Sequence, residues 1–307
     1  MRYYFAPLEG ITDSIFRALH SKYFPGVDRY YTPFLSPTVH RGLTAREARE
    51  IPGADTLTYE AVPQLLTKVA EDFLWLAGVC ADLGYKEVNL NTGCPSGTVT
   101  AKGKGSGMLR DLQALEAFLD EIYSKSPLPV SIKTRIGFYE KDEFPAILEL
   151  YNRYPIQELT IHPRIRAQFY KGAVDMECFQ YALQNSKNPL CYNGDLISLK
   201  KVQAFETAFP QVESVMIGRG LVGDPGMLSP GGTDIAALEA FYDELFAVYT
   251  DVFGGTRNAM FRLKENWSYL LPRFEDSEKL GKRLRKTTDL AEYRAIAAEI
   301  FHTLQRK

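Results

Sequence analysis

The 307-residue sequence lacks the features that would place it in several large classes of protein. Its four cysteines, Cys80, Cys94, Cys178 and Cys191, contain no C-x-x-C pair, and no cluster of cysteine and histidine has zinc-ligand spacing. That argues against a disulfide framework and a structural metal, and it suits a reducing compartment. No window approaches the roughly 18 consecutive apolar residues of a membrane span. The opening Met-Arg-Tyr-Tyr-Phe-Ala-Pro-Leu-Glu-Gly has neither an apolar signal core nor an Arg/Ser-rich transit pattern. The expectation is a cytoplasmic protein with no membrane association. Neither sign of charge dominates the net charge of -2, and a local basic groove would vanish in that sum. Internal repeats and low-complexity tracts are also missing.

What is present is alternation. Short apolar runs at 3–8, 29–34, 56–62, 87–91, 130–134, 158–162, 190–193 and 214–218 are separated by stretches such as 65–83, 112–123, 144–154 and 199–209. These intervening stretches keep apolar residues at three- and four-residue spacing. Strands alternating with helices imply parallel pairing, and eight such units predict an α/β fold of the (β/α)8 TIM-barrel type. A doubly wound sheet is the alternative, but no G-x-G-x-x-G follows the first run. After Gly231-Gly232-Thr233 the pattern becomes helical at 236–253, 258–271 and 289–304. We therefore expect a barrel over 1–234 and a small all-helical domain over 235–307. The helical part carries five basic residues between Lys279 and Lys286 with no acid among them. Such a run is most often a solvated face, although it also suits phosphate groups.

Period-2 alternation assigns faces within the barrel. If Val88, Leu90, Val130, Ile132, Leu159, Ile161, Leu190 and Tyr192 point outward, the last inward residues of four consecutive strands are Asn91, Lys133, His162 and Asn193. These lie at the carboxyl ends, where barrels of this kind carry their active sites. Singly, His162 could be a satisfied core histidine and Asn193 a turn former. Together with Lys133, which burial would strand without an anionic or hydrogen-bonding partner, they point to a ligand. Cys94 sits on the loop opening at Gly93 after the fourth run, which raises it above the usual role of a cysteine as a small buried hydrophobe.

The loops Asn193-Gly194-Asp195 and Gly218-Arg219-Gly220 follow the last two strands, where such barrels commonly hold phosphate. Arg219 would add a charge-assisted donor. A phosphorylated cofactor with its ring near Lys133 and Asn91 is the simplest occupant. Flavin mononucleotide suits this shape and polarity, and a phosphosugar is left open.

At this point several segments resemble one family, the tRNA-dihydrouridine synthases. They are Ala6-Pro-Leu-Glu-Gly-Ile-Thr-Asp13 with Phe16-Arg17; Gln64-Leu-Leu66; Asn89-Leu-Asn-Thr-Gly-Cys-Pro-Ser96 with residues 105–109; and Ser131-Ile-Lys-Thr-Arg-Ile-Gly137. Ile161-His-Pro-Arg164 with Gln168 and Tyr170, Asn193-Gly-Asp195 and Met216-Ile-Gly-Arg-Gly220 follow in family order, and the tail matches weakly through Arg262-Leu-Lys-Glu265 with Trp267. The resemblance implies a flavin enzyme that uses FMN, with NADPH or NADH as reductant, to reduce uridines in tRNA. It implies cofactor contacts for Pro7, Gln64, Lys133, His162, Asn193, Asp195, Gly218 and Arg219. Asn91 and Cys94 would face the uracil, with Cys94 as the catalytic acid, and Arg164, Arg166 and Gln168 would line the RNA side. Further phosphate contacts are expected from Lys102, Lys104, Arg135 and the 279–286 run. No metal is required, and a monomer is expected. Leu8 stands where methionine is common, Gly97 where a lysine often follows the cysteine motif, and 223–228 is an unusual version of its loop. Two rivals remain at this level: an FMN barrel acting on a small molecule, of the dihydroorotate dehydrogenase or ene-reductase type, and a non-catalytic RNA-binding module.

Overall fold

A computed structural model describes residues 1–305. Its strands are β1 (Arg2–Phe5), β2 (Arg29–Tyr31), β3 (Ala61–Val62), β4 (Gln64–Leu65), β5 (Val88–Thr92), β6 (Val130–Gly137), β7 (Leu159–Ile165), β8 (Leu190–Tyr192) and β9 (Ser214–Ile217). All described pairings are parallel, in the order β3-β2-β1-β9-β8-β7-β6-β5-β4. The two end members are consecutive in sequence and separated only by Pro63. Residues 61 and 62 pair with β2, while Gln64 and Leu65 pair with β5. One run therefore serves both neighbours, and the sheet is an eight-unit barrel whose seam falls at a proline. A proline cannot donate to a ladder. The Gln64 N–H just beyond it donates instead to Thr32 Oγ1 at 3.0 Å.

The third run is where sequence and structure differ. The segment expected as strand at 56–62 forms a ladder only from Ala61, because Ala54–Thr56 is a 3-10 turn. Leu65, expected to begin a helix, is a strand residue, and the helix starts at Ala70. Pro63 looks like a terminator by composition, whereas here the strand continues through it. The other seven runs each contain a strand.

Face assignment follows from register. Asn89 lies opposite Ser131 and Asn91 opposite Lys133. Asn89 Nδ2 donates to Ser131 Oγ at 2.9 Å inside the barrel. Val88, Leu90, Val130, Ile132, Leu159 and Ile161, of opposite parity, are buried. On the outer layer, Ala70–Asp82 and Leu112–Lys125 meet through Phe73 and Phe118, edge to face at 6.0 Å.

The chain divides into two compact units. The first comprises Met1–Pro7, Asp28–Gly194 and Glu206–Met216; the second comprises Leu8–Val27, Asp195–Phe205 and the chain from Ile217 on. The second unit holds helices Ser14–Tyr23, Ile235–Val252, Thr256–Leu270, Glu278–Lys286 and Leu290–Thr303. It thus draws in residues far upstream of position 235. Phe16 packs edge to face on Phe241 at 5.3 Å. Asp13 caps Ser14–Tyr23 by accepting from Phe16 N at 2.9 Å, and it also accepts from Arg262 Nη2 at 2.7 Å and Tyr249 Oη at 3.1 Å. Two motif fragments at opposite ends of the chain meet in that carboxylate. No helix among the described residues is long and apolar enough to cross a membrane.

Candidate active site

The mouth at the carboxyl ends of the strands is organised by a buried chain of amides. Gln64 Nε2 donates to Asn89 Oδ1 at 2.8 Å, and Asn91 Nδ2 donates to Gln64 Oε1 at 2.7 Å. Asn91 Oδ1 then accepts from Gly93 N at 3.0 Å and Cys94 N at 2.8 Å. Inward polar residues on β4 and β5 thereby fix the start of the cysteine loop. Both side-chain ends of Asn91 are engaged by protein, leaving one amide N–H for a ligand.

The carbonyls of the same loop are held as well. Arg135 Nε donates to Gly93 O at 2.9 Å, Ser106 Oγ to Cys94 O at 2.9 Å, and Arg166 Nε to Pro95 O at 3.2 Å. Gly105, at φ +57°, passes so close that a Cβ there would stand 2.9 Å from Cys94 O and 3.0 Å from Cys94 Cβ. Only glycine fits that approach. The half-buried Cys94 thus presents its thiol from a backbone fixed on both sides.

The mouth is cationic. Lys133 is half-buried and, among the described residues, no side chain or carbonyl bonds its ammonium. Burial, with the Arg135 guanidinium nearby, lowers its pKa from 10.5 to about 8. Arg135 is 1% exposed. Its donors go to Gly93 O, Ile165 O at 3.0 Å and Phe169 O at 2.8 Å. Burial also lowers its pKa, to about 10. Lys133, Arg135 and Arg166 meet no carboxylate among the described residues. His162 Nε2 lies 3.0 Å from Arg164 Nη1. Arginine only donates, so Nε2 accepts and the imidazole proton sits on Nδ1. Tyr170 stacks over His162 with centroids 6.0 Å apart.

The first unit therefore gathers Gln64, Asn91, Cys94, Lys133, His162, Arg164, Arg166, Gln168 and Asn193 on strands and loops at one end of the barrel. Several are already engaged. Arg164 is buried and also donates to Gly172 O; Gln168 Oε1 accepts from Ile165 N at 2.9 Å; Asn193 Nδ2 donates to Met216 O at 2.7 Å. Pro7 lies just past β1. Asp195, Gly218 and Arg219 belong to the second unit, where Arg219 Nη2 donates to Asp195 Oδ1 at 2.8 Å. Arg135, expected among the phosphate contacts, is buried and staples the cysteine loop through Gly93 O. Its inward parity with Ser131 and Lys133 was the signal that marked it. A Cβ at Gly97 would stand 4.0 Å from Arg166 Nη2, so a cation already lies beside the position where lysine was expected. Among the described residues, no group of three or more His, Cys, Asp or Glu could hold a metal ion.

Fold and site define a (β/α)8 barrel whose cationic mouth presents one thiol. The profile of the dihydrouridine synthase (Dus) family matches residues 4–241. The chain belongs to that family. It is 31% identical over 230 residues to a probable tRNA-dihydrouridine synthase 1 of Synechocystis sp., covering 72% of this chain and 61% of that protein. A probable tRNA-dihydrouridine synthase of Rhizobium leguminosarum bv. phaseoli is 27% identical over 310 residues, covering 97% of this chain and 94% of that protein. Among solved structures, a morphinone reductase variant in complex with tetrahydroNAD shares the fold at TM-score 0.52 and 11% identity, covering 74% of this chain and 85% of that one.

Proposed function

We propose that this protein reduces the C5=C6 bond of uridines in tRNA, with FMN as cofactor and a reduced nicotinamide nucleotide as the electron source. The observation that carries the reading is the Cys94 thiol, held on a pinned loop beside a lysine whose ammonium no group among the described residues hydrogen-bonds. An ammonium that no group among the described residues hydrogen-bonds, a neutral histidine and a buried amide chain suit a hydrogen-bonding heterocycle that gains negative charge on reduction, such as the flavin ring. Lys133, His162, Gln64 and Asn193 would hold it. When bound and reduced, FMN supplies the hydride equivalent. Cys94 donates the proton to C5, a general-acid task within the reach of a thiol, since free cysteine has a pKa of about 8.5. Lys133 holds positive charge against the reduced cofactor. Arg135 keeps the thiol in place. The cofactor roles of Pro7, Asp195, Gly218 and Arg219, and the uracil-side roles of Asn91, Arg164 and Gln168, rest on the family resemblance.

A base buried in folded RNA must turn out to reach such a mouth. The helical unit would grip the rest of the tRNA. In Glu278–Lys286 the apolar Leu280 and Leu284 are buried, and Lys279, Lys282, Arg285 and Lys286 are exposed. Mapping dihydrouridine in tRNA from cells lacking this gene tests the reading. One or more positions should revert to uridine and return with the wild-type gene but not with Cys94→Ala. An unchanged map, with a yellow protein that reduces a small enone, would support the small-molecule reading instead.

A further inference from the structure

Beside the cysteine loop, rings and guanidinium groups alternate in a way the proposed reaction does not use. Arg110 lies over Phe138 with its Cζ 5.0 Å from the centroid; Arg166 lies over the same ring at 5.4 Å and over Phe169 at 5.5 Å. The order is Arg110, Phe138, Arg166, Phe169, with Tyr139 edge to face on Phe138 at 4.7 Å. Three hydrogen bonds fasten the Phe138 side. The Glu143 carboxylate accepts from Phe138 N at 2.7 Å, Tyr139 N at 2.8 Å and Glu140 N at 2.9 Å. Arg166 ties the stack to the reactive loop through Pro95 O. Arg110 and Arg166 meet no carboxylate among the described residues.

The outer rings are open to solvent: Phe169 is 40% exposed and Tyr139 64%, and Tyr170, next to Phe169 in sequence, is 52% exposed. Phe169 also has φ 51° and ψ -101°. Glycine adopts such a backbone freely, whereas a bulky side chain is a rare and costly occupant. The conformation is held by Arg135 Nη2 on Phe169 O and by Phe169 N donating to Arg166 O at 3.2 Å. An aromatic ring is thus kept, half in water, at a position where no side chain at all would be easier.

We infer that Phe169, backed by Arg166 and Phe138, is a stacking platform for an unpaired base of the RNA substrate next to the one that enters the barrel mouth. Rings interleaved with unneutralised guanidinium groups match a base face and its flanking phosphates, and stacking tolerates any base. The inference rests on the proposed tRNA reading and adds a contact outside the reacting uracil.

Phe169→Gly separates the roles. It removes the ring and relieves the backbone, so the thermal midpoint should stay or rise and flavin content should not change, while affinity for bulk tRNA from cells lacking the gene falls about tenfold. Phe169→Leu, which keeps bulk and backbone strain without a ring, should lose affinity similarly. Phe169→Trp should retain it. Unchanged tRNA affinity in the glycine or leucine variant, at the same salt, overturns the platform. Dihydrouridine formation by the wild type is scored in parallel. A wild type that binds tRNA without modifying it sinks the reaction while the affinity series still decides the platform; one that does not bind tRNA overturns both.

Discussion

At the amino ends of the strands the buried acids Glu87 and Glu158 each meet an arginine, whereas at the carboxyl ends Lys133, Arg135 and Arg166 meet no acid among the described residues. On the floor, Arg29 Nη1 reaches Glu87 Oε2 at 3.1 Å. Glu158 Oε2 accepts from Ser214 Oγ at 2.7 Å and Tyr4 Oη at 3.3 Å, with Arg2 Nη2 at 3.9 Å. Burial raises the pKa of both carboxyls above their usual range despite these partners. The two floor acids each have an arginine within ion-pair distance, whereas these three cations at the mouth have no acid among the described residues. One end of a single barrel pairs its buried acids, and under the proposed function the unpaired cations at the other end are the ones that meet cofactor and substrate.

Substitutions at the two ends should separate along that line. The largest effect is expected at Cys94→Ala, with uridine reduction down at least about 100-fold and flavin content and thermal midpoint unchanged; full turnover would remove the acid role. Next comes the floor. Glu158→Ala leaves Tyr4 without its acceptor and Ser214 with only Leu190 O at 3.5 Å, and should cost about 2 kcal/mol in chemical denaturation, with flavin binding and tRNA affinity intact in the folded protein. A floor variant that lost cofactor without losing stability would erase the distinction. Lys133→Met should weaken flavin retention about tenfold, in the range of one charge-assisted hydrogen bond. It also carries a pH signature. Folded Lys133 titrates near 8 against 10.5 for an ordinary lysine, so the unfolded chain binds more protons between those values. Stability of the flavin-free protein should therefore rise with pH across that window, more than in Lys133→Met. Equal slopes for the two proteins would mean that burial does not disfavour this ammonium.

Much of the mouth was legible because parity along a strand is strict. Asn91, Lys133 and His162 follow from outward Leu90, Ile132 and Ile161, and the same count extended by one step reaches Arg135. Two kinds of feature were not legible. The seam at Pro63 was hidden because a proline's missing donor looks like an ending, and only the ladder shows one run serving two neighbours. Phe169 carried no signal, since its meaning lies in a backbone angle and in rings brought together from 138 and 169. The pairing of Arg219 with Asp195 was likewise invisible to a reading that took both loops as phosphate turns.

The amide chain from Ser131 through Asn89 and Gln64 to Asn91 has an evolutionary corollary. Each link satisfies its neighbour, so exchanging one for an apolar residue orphans the next at a cost of about 1–3 kcal/mol. Single changes are penalised more than concerted ones. Across descendants of this sequence the four positions should behave as one inherited character, substituted together or not at all, while the floor and the mouth around them drift independently.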